Sequence, residues 1–382
     1  MVENRSAAGA ARPLAMVVGP TRQAPSVLER LAAPALPLTD PAFLAEFGRC
    51  LTRLREVVGS TSAETVVTPG SGTIGMECSA VSLLRPGLPV LVVSTGTWGE
   101  RWRRICLRNR VPAHAPRFAP GRAPDLGAVD RALRRRRHPA VLVAHVDSSS
   151  GVRSDVAGLT ALAHRHGALC LVDGVSAIGA ERVEVDDWDL DLYLGGPSKG
   201  LAAAPGLALY ALGRRAVEAL RDRPWEPSTF ALDLAPWLPV MAAALRGRFD
   251  YFQSPAGNSV MALSEALRLV LAEGREQRVA RHAALRDRLH AGLADLGIRL
   301  LVPEERDRAN GVTVCLVPDD LREERLLAAV ADEGVVLQAG TLPLARRRTF
   351  RLGHLGTVDD DDISRALAAV EAGLRACRRN AR

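Results

Sequence analysis

The chain has 382 residues, 47% hydrophobic, with 50 Lys and Arg against 43 Asp and Glu for a net charge of +7. That length suits two or three domains with a sizeable core, filled mainly by aliphatic residues because only 4% are aromatic. No run reaches the ~18 apolar residues of a membrane span, and no binding motif interleaves its basic clusters, Arg134–Arg137 and Arg346–Arg348, with aromatics. Membrane and nucleic-acid partners are therefore excluded. The six scattered cysteines form no CxxC pair, which argues against a disulfide framework or a zinc site and predicts a cytoplasmic protein.

In chain order, residues 1–13 read as a loose leader, and 14–60 hold a Gly-Pro turn and two helices. From 65 to 212, strand-like runs (65–69, 90–94, 140–147, 168–173, 189–195 and 206–212) alternate with helical patterns (74–84, 99–109, 155–166). This alternation predicts an α/β fold with a mostly parallel central sheet covered by helices. The tail reads as a long helix over 260–296, strand-like 299–302 and 311–317, a helix near 322–333, strands at 335–338 and 349–353, and a final helix after Asp361. We expect a large domain over 14–254 and a smaller α+β domain over 255–382. Ligands of such sheets sit beyond the carboxyl ends of the strands.

Of the 50 basic side chains 49 are Arg, leaving Lys199 as the sole lysine. Arg replaces Lys as a surface charge but not as a deprotonatable amine, so the surviving lysine is a candidate nucleophile. Gly70-Ser-Gly-Thr-Ile-Gly75 follows a strand and opens a helix, a natural anion seat. It also spells GxGxxG, but the next strand ends in Ser94-Thr-Gly96 without the ribose-binding carboxylate of a dinucleotide site. Asp173 closes the apolar strand Leu171-Val-Asp173, and Lys199 follows 26 residues later in Gly195-Gly-Pro-Ser-Lys-Gly200. Gly196-Pro-Ser198-Lys-Gly200 also fits a GxSxG nucleophile elbow, yet Pro205-Gly206 leaves little room for the helix an elbow requires. Glycine loop, lysine and aspartate together suggest pyridoxal phosphate. The lysine would form a Schiff base with the aldehyde, the loop would hold the phosphate, and the aspartate would keep the ring nitrogen protonated.

At this point the chain resembles the class V aminotransferases of the fold-type I pyridoxal-phosphate enzymes, and within them the alanine–glyoxylate and serine–pyruvate aminotransferases. The resemblance spans about 14–375. It rests on Gly19-Pro-Thr21, Gly70-Ser-Gly-Thr73, Ser94-Thr-Gly-Thr-Trp-Gly-Glu-Arg-Trp102, Asp147-Ser-Ser-Ser-Gly-Val152, Leu171-Val-Asp173, Ser198-Lys199 and Phe350-Arg-Leu-Gly-His-Leu-Gly356. It implies that Ser71, Gly72 and Thr73 hold the cofactor phosphate, that Trp98 and Val175 flank the ring, and that Ser149 lies near the ring oxygen and Asp173. Ser198 precedes the Schiff-base lysine, Arg351 grips a substrate carboxylate, and His354 is structural. It implies a homodimer taking a small-molecule amine donor and a 2-oxo acid acceptor such as pyruvate or glyoxylate.

Three departures stand out. Pro197-Ser198 replaces the common Gln before the lysine, in the manner of the Gly-Pro-Asn-Lys of pyridoxamine–pyruvate aminotransferases. Phe252 and Ser254 stand where relatives offer a Tyr and a Thr to the partner's phosphate. Leu36-Pro-Leu-Thr-Asp40 lacks a usual His-Arg pair, so an unusual substrate is expected. A lyase or aldolase on the same scaffold, and a noncatalytic pyridoxal-phosphate-binding protein, are the alternative functions.

Overall fold

The structure, a computed structural model, describes residues 13–342 and 348–379. The leader up to residue 12, and Arg346 and Arg347 of the second basic cluster, lie outside the described residues. A seven-stranded sheet forms the centre, in the spatial order Glu64–Gly70, Gly206–Leu212, Leu192–Gly195, Leu169–Asp173, Ala140–Ala144, Val90–Val93 and Ala113–His114. Only Gly206–Leu212 runs antiparallel to its neighbours. The continuously apolar strands are buried on both faces, as a helix-covered parallel sheet requires. Thus the alternation seen in the sequence has become the expected fold.

A second core surrounds a three-stranded antiparallel sheet, Val312–Leu316, Thr349–Gly353 and Gln338–Ala339. Leu285, Leu289, Phe350, Leu352, Ile363 and Val370 fill it. The N-terminal stretch belongs to this core as well. Leu14 and Met16 pack into it, and Leu14–Ala15 pairs in parallel with Val335–Val336.

Two local expectations are corrected. The helical pattern over 260–296 is two helices, Gly257–Glu273 and Arg275–Asp295, because Gly274 takes φ +92°, which L side chains rarely adopt. Val260, Leu263 and Leu267 of the first helix pack in the larger core, and Leu285 and Leu289 of the second in the smaller one. Residues 299–302 form no strand but a single bridge between Leu300 and Cys315. Among the described residues no helix is long and apolar enough to cross a membrane, and no group of His, Cys, Asp and Glu could hold a metal ion.

Candidate active site

Four segments converge beyond the carboxyl ends of the central strands. After the strand Glu64–Gly70, Ser71 caps the helix Gly72–Leu83, its hydroxyl accepting from the Ile74 N–H at 3.4 Å. The first N–H groups of a helix have no partner within it, and they aim positive ends of dipoles at whatever lies beyond. A Cβ on Gly72 would lie 2.9 Å from a Val175 methyl, and one on Gly196 would lie 3.0 Å from the other. Val175 is therefore wedged between the glycine loop and the lysine loop, two glycines giving it room.

Asp173 ends its strand buried, with the Val175 N–H donating to its Oδ1 at 3.0 Å. Burial pushes its carboxyl up to about 6, against the pull of that hydrogen bond and of the Lys199 charge. Lys199 is half-buried as a residue, but its amine is withdrawn from water and donates to Ser176 Oγ at 2.7 Å. Desolvation brings that amine down to about 8; Asp173 and Asp147 resist the shift, while Arg351 and Arg101 add to it. A neutral amine is thus far more accessible here than on an ordinary lysine near ~10.4. The backbone beside it is fixed by Thr21, whose hydroxyl donates to the Lys199 carbonyl at 2.8 Å and whose N–H donates to the Ser198 carbonyl at 3.0 Å.

Trp98 stands in the first turn of the helix Thr97–Arg108, with the Lys199 amine 5.3 Å from its ring centroid. Its indole N–H donates to Ser148 Oγ at 2.7 Å. Its backbone is held by Asp147, fully buried, whose Oδ2 accepts from the N–H groups of Trp98 at 3.0 Å and Gly99 at 3.3 Å. The other oxygen accepts from the Ser149 N–H at 3.0 Å and the Ser149 hydroxyl at 2.5 Å, while Ser149 Oγ accepts from the Thr97 N–H at 2.8 Å. Gly96 makes this possible, since a Cβ there would lie 2.3 Å from Ser149 Oγ. Arg101, one turn on, lies over the Trp98 ring at 4.2 Å and donates to Thr73 Oγ1 at 2.5 Å.

Arg351 arrives from the smaller sheet. It is buried, donates through Nε to the Ala339 carbonyl at 3.0 Å and reaches the Ser148 carbonyl at 3.4 Å, in the segment that carries Ser149. No ion pair joins it to a carboxylate among the described residues, although the charges of Asp147 and Glu323 reach it. His354 is buried, linked by Nε2 to Thr313 Oγ1 at 2.9 Å and held neutral by burial. Ser254 is exposed, 3.4 Å from the Tyr251 hydroxyl, and makes no hydrogen bond to this cluster among the described residues. Sequence reasoning passed over Asp147, Ser176 and Arg101. The first two had a signal in their position just beyond strand ends; Arg101 had none among 49 arginines.

An amine, a strand-end carboxylate, an indole face and an anion-seeking helix terminus facing one another form the binding pattern of a pyridoxal-phosphate enzyme of fold type I. The donor set suits that cofactor: the Lys199 amine lies 5.3 Å from the Trp98 ring, Val175 packs against Gly72 and Gly196, and the helix capped by Ser71 opens beside it. Residues 43–351 match the family model of the class V aminotransferases, and the chain belongs to that family. It is a pyridoxal-phosphate-dependent aminotransferase. It is 29% identical to the pyridoxamine–pyruvate transaminase of Mesorhizobium japonicum, over 90% of this chain and 86% of that one. It is 26% identical to the mouse alanine–glyoxylate aminotransferase, over 95% and 87%. The solved alanine–glyoxylate aminotransferase of a Nostoc species superposes with a TM-score of 0.91 at 27% identity, covering 97% of each chain.

Proposed function

We propose that this enzyme moves an amino group from an amino acid, or another primary amine, to a small 2-oxo acid such as pyruvate or glyoxylate. The observation that carries the reading is the sole lysine, its amine desolvated, held by Ser176 and facing Asp173. Bound in this site, pyridoxal phosphate supplies a Schiff-base aldehyde and an electron sink for the electrons of the Cα–H bond. Lys199, as a free amine, would take the Cα proton on Nζ and deliver it to the carbon of the cofactor's aldehyde, as a base with a pKa near the working pH should. Asp173 holds the proton on the ring nitrogen. Ser71, Gly72 and Thr73 hold the phosphate, Trp98 and Val175 hold the ring, and Ser149 and Ser198 line its edge. Arg351 orients the substrate carboxylate. The Pro197-Ser198 step leaves an amine other than a common amino acid as a candidate donor.

The active unit in this reading is a homodimer. Phe230, Phe249 and Tyr251 are 78%, 46% and 57% exposed around the segment that ends at Ser254. Such an apolar surface marks an interaction face, and Ser254 would reach the partner's phosphate from it. Six free cysteines, five of them buried, suit a reducing cytoplasm.

The test is the visible spectrum of the protein loaded with pyridoxal phosphate, recorded through a panel of amino acids. One amine should bleach the lysine-linked band, and pyruvate or glyoxylate should restore it. A band that no amine bleaches reversibly would turn the reading to a lyase, an aldolase or a noncatalytic binding protein. A Lys199→Ala chain should show neither band nor turnover.

A further inference from the structure

Arg278 lies on the helix Arg275–Asp295 and is only 6% exposed. Its guanidinium donates from Nε to the Gly179 carbonyl at 3.0 Å and from Nη2 to the carbonyls of Gly200 at 2.6 Å and Gly356 at 3.3 Å. Its remaining nitrogen pairs with Glu273 at 2.5 Å. Gly179 lies in the loop after Asp173, Gly200 directly follows Lys199, and Gly356 lies in the loop after the strand that carries Arg351. One side chain therefore ties together the three segments that carry the carboxylate, the amine and the carboxylate-binding cation.

The three loops meet backbone on backbone. A Cβ on Gly200 would lie 2.3 Å from the Ile178 carbonyl oxygen, and one on Gly356 would lie 3.3 Å from the Lys199 carbonyl oxygen. The Gly200 and Gly356 carbonyls are buried in this packing, and buried carbonyls need donors. Arg281 also pairs with Glu273 but reaches only the Gly356 and Val358 carbonyls. The planar fork of an arginine fits several divergent acceptors at once; a lysine ammonium, a point charge on a flexible stem, does not.

We propose that Arg278 is a positioning residue that keeps the Lys199 amine in register with Arg351 across the junction of the two cores. The proposal rests on the function given above. Lys199 follows a strand of the central sheet and Arg351 lies on a strand of the smaller one, and the Arg278 fork, with Thr21 and Arg281 beside it, links the loops behind them. The charged groups that act on the Lys199 amine are Asp173, Asp147, Arg351 and Arg101, so its protonation reports on their placement.

Lys199 is the sole lysine of the wild type, and peptide mapping separates it from the second lysine that Arg278→Lys adds. In cofactor-free protein, acylation of Lys199 is followed against pH by peptide mass mapping, and kinetics with a carboxylate-bearing amine are measured on the loaded enzyme. Arg278→Lys should raise KM about 10- to 100-fold with a smaller change in kcat, and move the Lys199 midpoint upward from about 8. Glu273→Gln keeps the carbonyl contacts; it should lower thermal stability and leave both readouts in place. If Arg278→Lys does not fold, the double variant Arg278→Gln with Glu273→Gln removes the buried pair, leaves only the part-exposed Arg281 without its carboxylate, and should show the same two shifts. A folded variant with unchanged midpoint and KM would overturn the proposal, and so would a Glu273→Gln chain that reproduced both shifts. A wild-type chain that binds no pyridoxal phosphate would instead sink the assigned function, while the midpoint would still test Arg278.

Discussion

Asp173 is held in the protein at a cost, and replacing it should expose that cost. Burial pushes its carboxyl from an ordinary value near 3.8 up to about 6. At about 1.4 kcal/mol per tenfold change, keeping it ionised at neutral pH costs the cofactor-free fold roughly 3 kcal/mol. Asp173→Asn retains an oxygen for the Val175 N–H and removes the charge, at the expense of attraction to Lys199. The variant should therefore be more stable than the wild type by about 1–3 kcal/mol at pH 7.5. The sign follows from linkage. A carboxyl raised in the folded state carries its full penalty above about 6, and the penalty fades as pH falls toward the unfolded value near 3.8. Urea unfolding of both cofactor-free chains at pH 7.5, 6 and 5 measures the difference, which should shrink on acidification. With Asp173 proposed as the partner of the ring nitrogen, affinity for pyridoxal phosphate should fall in the same variant. A less stable Asp173→Asn chain at pH 7.5, or a gain that does not change with pH, would refute the argument.

Three further substitutions probe the supports of the site. Asp147→Asn cannot accept from all of its donors; it should cost about 2–4 kcal/mol in urea unfolding and weaken the near-ultraviolet dichroism of Trp98. Gly72→Ala sets a methyl 2.9 Å from Val175; it should destabilise by about 1–3 kcal/mol, and adding Val175→Ala should recover most of the loss in a double-mutant cycle. Arg351→Gln should raise KM for carboxylate substrates about 100-fold, read by steady-state kinetics. Because the Arg351 charge helps hold the Lys199 amine down, the same variant should raise the pH midpoint of Lys199 acylation.

The residues that could be found from the sequence are those whose chemistry is scarce in it. Lys199 stood out because arginine had displaced every other lysine, and Asp173 because a carboxylate closing an apolar strand in a parallel sheet has one place to go. The strands themselves were legible for the same reason, being apolar on both faces. Gly274 was hidden because one glycine in a helical pattern is tolerated as often as it breaks a helix, and only its φ of +92° decides. Residues 299–302 have strand-like composition, yet a strand needs a partner along its length, and Leu300 meets Cys315 alone.

Arginine poses the opposite problem from lysine. Arg101, Arg278 and Arg351 differ from the other arginines not in local sequence but in what the fold brings to them: an indole face and Thr73, three loop carbonyls, or the Ala339 and Ser148 carbonyls. Each of these partners comes from a segment distant in the chain, apart from the indole one turn away. The two properties have one origin. A chain that uses Arg for nearly every cation leaves its one reactive amine conspicuous, and it leaves the cations that position that amine indistinguishable until the chain has folded.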